Sequence, residues 1–393
     1  MTAAARGASP TTRGKPLPMV TKLAYRNLFH DRLSLTVTLV GIVFSVVLVA
    51  VQFGLYLGSE NRITAVLDHM EADLWVVPVG TKSFDDPSLL PGHEKHAILS
   101  TPGVASVEEL VMGFAPWRKL SGGISAAVLV GSDTRNNKAL PWAIIEGSVA
   151  DLASPSAVAV DNTYFDELGV QKRGDRAELN NIQVTVQVIT KNIRSFTTLP
   201  YIFASIGFAR QVVEATPDQA SYEVVRVAPG YDVEDVRKVL QARLPDTEVV
   251  SHQEFRKRSL DNWLFGTGAG SALIAGSALC VIVGVVIVAQ TLYSSTKEHI
   301  NEFATLRALG ASAAFIRRVI LTQAVLSAVM GYVMGILLSL LVIYFSRDST
   351  LLIVMTLNLA LLLLALTVGM CVFAAVSAIF KVTRIDPAVV FSR

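Results

Sequence analysis

The 393-residue sequence predicts a membrane protein with four transmembrane α-helices and a large α+β extracytoplasmic domain between the first and second of them. Charged residues vanish from Leu33 to Ser59, Asn262 to Thr296, Val319 to Ser346 and Ser349 to Phe380. Each run exceeds the roughly 20 residues that cross ~30 Å of hydrocarbon as a helix. Lysine and arginine gather before the first run (Arg6, Arg13, Lys15, Lys22, Arg26, Arg32), between the second and third (Lys297, Arg307, Arg317, Arg318) and after the fourth (Lys381, Arg384, Arg393). The positive-inside rule then puts those segments and both termini in the cytoplasm, and the long stretch 60–261 outside. With a net charge of only +2, membrane lipid is an expected partner and nucleic acid is not.

Taken in order, residues 1–18 are rich in Ala, Thr, Arg, Pro and Gly and read as a disordered cytosolic tail. Residues 19–32 form an amphipathic inner-surface helix, with Val20, Leu23, Ala24 and Leu28 on one face and Lys22 and Arg26 off it. The first span, 33–58, is too long and too deep in the chain for a cleavable signal. Segment 59–263 is the outer domain with its stalk helices, Ser59–Ala72 rising from the membrane and Gln253–Trp263 returning to it. Within it, Ala72–Pro78, Val104–Val111 and Ala126–Val130 read as strands and His93–Ser100 as a helix. A β-rich insert is expected over about 143–215, where Leu179–Ile189 alternates around an Asn180-Asn181 turn. Strand Tyr222–Val227, helix Val233–Leu244 and strand Thr247–Val250 give a β-α-β unit. The second span is 264–296, a coupling-helix loop is 297–318, the third and fourth spans are 319–346 and 349–380, and 381–393 is a cytosolic tail.

Reactive constellations are missing. No Walker-type phosphate loop occurs, Gly14-Lys15 being followed by Pro16. No H-E-x-x-H or C-x-x-C is present, and His93 with His96 reads as a solvated face. The two cysteines, Cys280 and Cys371, lie in predicted spans, so an ordinary hydrophobic core must hold the outer domain. Neither a catalytic nor a cofactor- or metal-binding residue is assigned to this chain. Gly266, Gly268 and Gly270, and the pairs Gly54 with Gly58 and Gly331 with Gly335, have the spacing of small residues that let membrane helices approach closely.

The inner loop is the most informative stretch. Ile300, Phe303, Ala304 and Arg307 recur at helical spacing, Gly310 is placed to end that helix, and Ser312 to cap the next. The run Glu302-Phe-Ala-Thr-Leu-Arg-Ala-Leu-Gly-Ala-Ser312 and the tail Lys381-Val-Thr-Arg-Ile-Asp-Pro-Ala-Val-Val-Phe391 resemble the signature of MacB/FtsX-type ABC transporter permeases. Gly41-Ile-Val-Phe44, Val51-Gln-Phe-Gly-Leu-Tyr-Leu-Gly58 and Ala72-Asp-Leu-Trp-Val-Val-Pro-Val-Gly-Thr81 are similar, more narrowly, to the DevC branch.

The resemblance implies a non-catalytic permease subunit in the bacterial inner membrane. It is expected to form a C2 homodimer with separate ABC ATPase subunits, which supply ATP and Mg. In such a mechanotransmitting exporter, ATPase closure moves the coupling helix, here Phe303–Ala311, and the spans carry that motion outward. The outer domain then drives cargo into a periplasmic membrane-fusion adaptor and an outer-membrane channel. Glu302, Phe303, Leu306, Arg307, Leu309, Gly310 and Ala311 fall to the ATPase contact, with Leu306 and Leu309 as apolar knobs, Arg307 as a polar tether and Gly310 as the bend. Asp386-Pro387 has the order of an N-cap and first turn. Two alternatives stay open: an FtsX-like regulator that activates a cell-wall hydrolase, and a lipoprotein-release permease.

Overall fold

The computed structural model describes residues 19–30, 32–134, 140–298, 312–346 and 353–383. The chain divides into two units, one built from Met1–Gly54, Ile274–Phe345 and Val354–Arg393, the other from Leu55–Leu273 and Ser346–Ile353. Helix α1 (Met19–His30) buries Ala24 and Asn27, leaves Val20, Leu23 and Leu28 half-buried, and turns Lys22, Tyr25, Arg26 and Phe29 outward. Helix α2 (Arg32–Ile63) runs without a break through the first charge-free window and beyond it. The stalk then breaks at Thr64, whose hydroxyl donates to Glu60 O and the Asp68 carboxylate, and resumes as α3 (Ala65–His69).

The outer unit follows in chain order as β1 (Leu74–Pro78), α4 (Glu94–Leu99), β2 (Val104–Arg118), β3 (Ile124–Ser132), β4 (Ile144–Glu146), β5 (Ala157–Asp161), α5 (Phe165–Leu168), β6 (Arg176–Leu179), β7 (Ile182–Thr190), β8 (Tyr201–Ser205), α6 (Ile206–Val212), β9 (Tyr222–Val227), α7 (Val233–Arg243), β10 (Thr247–Ser251) and α8 (His252–Leu260). Asn180 and Asn181 both take positive φ, 48° and 63°, which joins β6 to β7 as a two-residue hairpin. Strands β9 and β10 both lie antiparallel to β1 and flank it, so the β-α-β unit is split by a strand from the other end of the domain.

The β-rich segment does not form a second sheet. All ten strands belong to one, in the order β10-β1-β9-β2-β3-β8-β5-β7-β4, with β6 between β2 and β7. The pairings β2–β3, β3–β8, β8–β5, β5–β7, β7–β6 and β6–β2 return to their start, so six strands close a small barrel at one end of an open sheet. Period-2 alternation fills it. One face of the strands supplies Ala115 and Trp117, Ala127 and Leu129, Val158 and Val160, Ala177 and Leu179, Val184 and Val186, and Ile202 and Ala204 to a single core. Gly113 and Gly131 continue that face on β2 and β3, where α6 lies against them. A Cβ at Gly113 would sit 2.5 Å from Val213 Cγ1, and one at Gly131 would collide with Ala209. The opposite faces pack elsewhere: Trp75, Phe84, Tyr222 and Phe255 form an aromatic core on one side of the open sheet, and α4 and α7 cover Leu74, Val76, Val225 and Val249 on the other.

After α8 the chain passes through a wide π turn, Asp261–Gly266, and Gly268, at φ +81°, before α9 (Ala269–Glu298). Helices α10 (Ala313–Phe345) and α11 (Leu357–Thr383) complete the set. Together with α2 and α9 they are the helices long and apolar enough to cross a membrane, four in the described residues.

Candidate functional site

Of the residues assigned from sequence, Glu302, Phe303, Leu306, Arg307, Leu309, Gly310 and Ala311 lie outside the described residues, as do the leader 1–18 and Asp386-Pro387. The flank of the loop is described. The Ser312 hydroxyl accepts a hydrogen bond from the Phe315 N–H at 3.2 Å and so caps α10.

Within the span unit, glycines set the helix spacing. Added Cβ atoms would stand 2.8 Å from Ile42 Cβ at Gly331 and 2.7 Å from Val46 Cγ1 at Gly335, so the α10 backbone rests directly on α2. A Cβ added to Gly41 would stand 2.5 Å from Ile287 Cγ2 on α9, and one added to Gly284 of α9 would collide with Ser45 Oγ of α2 and stand 2.6 Å from Met370 Sδ on α11. Gly54 and Gly58 are both buried, and Gly54 O accepts from Val354 N at 3.0 Å. Gly268 and Gly270 serve differently from the sequence expectation. Gly268 supplies the left-handed turn, and a Cβ on Gly270 would meet Leu264 of the preceding turn at 2.8 Å, so this triplet shapes the chain's approach to α9.

Beside the glycines lies a polar seam that the sequence reading passed over. Ser277 Oγ donates to Gln52 Oε1 at 3.3 Å, Gln52 Nε2 approaches Cys280 Sγ at 3.8 Å, and Ser45 Oγ donates to Cys280 O at 3.3 Å. Uncharged polar groups placed between apolar helices find each other because lipid offers them nothing.

The outer unit ties its two stalk segments together. Arg256 on α8 reaches Asp68 at 3.0 Å and Glu60 at 3.8 Å. Ser259 Oγ accepts from Phe84 N at 3.0 Å, and Tyr222 OH donates to Phe84 O at 2.8 Å, so the loop after β1 is pinned to α8 and β9. Asp85 in that loop is buried, and burial pushes its carboxyl up to about 6 although Tyr201 OH donates to it at 2.9 Å.

A second group sequence reasoning missed is a cluster of charges around one buried glutamate. Glu109 on β2 pairs with Lys95 of α4 at 2.5 Å and Arg210 of α6 at 2.6 Å. Directly opposite it in the ladder stands Glu223 of β9, only 1% exposed. Burial pushes the Glu223 carboxyl up to about 8, with help from the neighbouring Glu109 and Glu94 charges and against Lys95 and Arg210. In sequence, Glu223 looks like the polar member of an alternating strand. Only the cover given by α4 and α6 makes it internal. His93 and His96 are exposed, and among the described residues no His, Cys, Asp and Glu side chains gather to hold a metal.

Comparison with known proteins bears on most of the chain. The MacB-like periplasmic core domain matches residues 35–243, and the FtsX-like permease C-terminal domain matches 274–387. An uncharacterized ABC transporter permease of Mycobacterium tuberculosis is 24% identical over 373 residues, covering 92% of this chain and 95% of that protein. The pyoverdine export ATP-binding/permease protein PvdT of Pseudomonas fluorescens is 22% identical over 353 residues, covering 81% of this chain and 51% of that longer protein. Among solved structures, the periplasmic region of MacB from Actinobacillus actinomycetemcomitans aligns at a TM-score of 0.37 and 10% identity over 49% of this chain and 94% of that one. Four spans, an outer domain carried between the first two, and family matches that together take in both units have one conclusion: the chain belongs to the MacB/FtsX-type family of ABC transporter permeases.

Proposed function

We propose that this chain is the permease subunit of an exporter of the mechanotransmitting kind. A separate ABC ATPase binds ATP and Mg, and this chain, itself non-catalytic, turns hydrolysis into movement of its outer domain. The observation that carries the reading is the size and build of that domain. A closed barrel and an open sheet share strands between the first two spans, far more structure than a connecting loop needs. The unbroken α2 and the interrupted return through Asp261–Gly268 suit a lever and a hinge. The relative named for pyoverdine export favours cargo movement over regulation.

In this reading the protein is a homodimer of the DevC-like branch in the bacterial inner membrane, with both termini cytoplasmic. Leu306 and Leu309 press into the ATPase, Arg307 tethers it and Gly310 makes the bend, while Glu302, Phe303 and Ala311 complete the coupling helix. The glycines at 54, 58, 331 and 335 let the spans move as one packed body. Cargo passes from the outer domain to a periplasmic adaptor and an outer-membrane channel.

Purification of the chain in mild detergent, with mass spectrometry of what accompanies it, tests the proposal. An ATPase together with a periplasmic adaptor is the expected result. An ATPase with a cell-wall hydrolase and no adaptor would replace export by regulation, and absence of any ATPase would overturn the reading.

A further inference from the structure

Between the outer end of α2 and the stretch Gln253–Phe265 lies a cleft of ≈ 460 Å³, within the range of small-molecule sites. Its walls are graded in polarity. Tyr56, Leu260, Leu264 and Phe265 make the apolar part. Tyr56 belongs to the charge-free run that ends at Ser59, and Leu264 and Phe265 to the run that begins at Asn262, so this part stands at the edge of the hydrocarbon. Phe265 is 50% exposed there. The charged residues lie farther along both helices. Arg256 is already held by Asp68 and Glu60. Lys257 and Asp261 form no ion pair within 4 Å among the described residues.

Those two residues also line a second cleft, ≈ 620 Å³. Its walls add Lys82 and Asn262, while its Arg258 is occupied by Glu248 at 2.7 Å and Glu254 at 3.1 Å. The two clefts thus meet at Lys257 and Asp261, and together they hold two lysines without acidic partners, Lys257 and Lys82, beside the apolar wall of the first.

We propose that a membrane phospholipid occupies this pair of clefts, with an acyl chain along Tyr56, Leu260, Leu264 and Phe265 and its phosphate at Lys257 and Lys82. The gradient selects this occupant. A free phosphate would use the lysines and leave the apolar slot bare, whereas a purely apolar molecule would leave the lysines unused. A phospholipid rising from the outer leaflet matches both in the order in which the chain presents them. The site sits where α8 gives way to the π turn, so a bound lipid would brace the joint through which the outer domain meets the second span. The inference rests on the membrane placement of the spans and not on export.

The test uses the full chain, stripped of lipid in detergent and titrated with phosphatidylglycerol under native mass spectrometry. One retained lipid per chain is expected. Lys82→Glu with Lys257→Glu should weaken retention roughly tenfold, while Lys191→Glu, an exposed change elsewhere in the outer unit, should not alter it. Equal retention by all three proteins overturns the proposal. A second readout needs no charge change. In a chain with Cys280 and Cys371 replaced by alanine, Leu260→Cys should react with a water-soluble maleimide roughly tenfold more slowly when phospholipid is added. Unchanged rates, or the same slowing by inorganic phosphate alone, would overturn it as well.

Discussion

Replacing Glu223 by glutamine asks how much the outer unit gives up to keep a carboxyl group inside it. An ordinary glutamate titrates at 4.5, and burial beside Glu109 and Glu94 pushes this one up to about 8. Between those values the folded chain holds a proton that the unfolded chain has released, so folding stability falls as pH rises through that window and is level on either side. A shift of that size corresponds to up to about 5 kcal/mol, lost progressively from the lower value to the higher. Glutamine has the shape and hydrogen-bonding capacity of the protonated acid but nothing to ionise. The variant should match the native protein at acid pH and exceed it in stability by several kcal/mol above pH 8. Thermal unfolding of the full chain in detergent, followed through Trp75 and Trp117, which are both fully buried in the outer unit, gives the readout. Asp85 adds a slope of the same sign, confined below about 6, so measurements on the alkaline side isolate Glu223. Parallel pH profiles for the two proteins there would refute the reasoning.

Three further changes probe other parts of the molecule. Gly335→Leu must push α10 away from Val46, now 2.7 Å from where its Cβ would stand, and should cost about 1–3 kcal/mol, read as a lower melting temperature in detergent. An unchanged melting temperature would deny the close approach. Gly310→Pro should abolish transport while leaving membrane insertion and ATPase-independent stability unaltered, and undiminished export would remove that segment from the coupling role. For orientation, Ser121→Cys on the exposed β2–β3 turn should react with an impermeant thiol reagent from outside and Ser312→Cys should not. Reversed labelling inverts the topology.

What the sequence made legible and what it hid divide by range. The spans are legible because hydrocarbon excludes charge residue by residue, so Leu33–Ser59 announces itself without reference to anything distant. The Asn180-Asn181 hairpin is legible for the same local reason, since both residues tolerate the positive φ that the turn demands. Closure of the barrel is not. It depends on Trp117 and Arg118 meeting Leu179 and Glu178, a pairing that leaves no periodic trace in either segment. Gly113 and Gly131 gain their meaning only once α6 is known to lie over them. The polar seam of Ser45, Gln52 and Ser277 hid in plain view, because isolated uncharged residues do not break a hydropathy window. Ser259 and Glu223 look like surface residues until the elements packed upon them are in place.

Strand β2 has a mechanical consequence. It is 15 residues long, about 50 Å at the usual rise of a strand, and holds β3 along one edge for its distal half. Along its other edge it pairs with β9 up to Leu110 and then with β6 only at Trp117 and Arg118. Antiparallel ladder bonds lie across the strands, so tension along β2 loads them in shear and all must yield together. The interval between the two partners is different. There the Ser221 hydroxyl accepts from the Met112 N–H and donates to the Met112 C=O, and Pro116 O accepts the Asn180 N–H, in place of a continuous ladder on that edge. A force travelling along this strand would pass from the β9 ladder on one edge to the β3 ladder on the other at Leu110, which is paired on both. The open sheet and the barrel are therefore joined along β2 by a change of edge at Leu110, and Met112–Pro116 carries load through the β3 ladder alone.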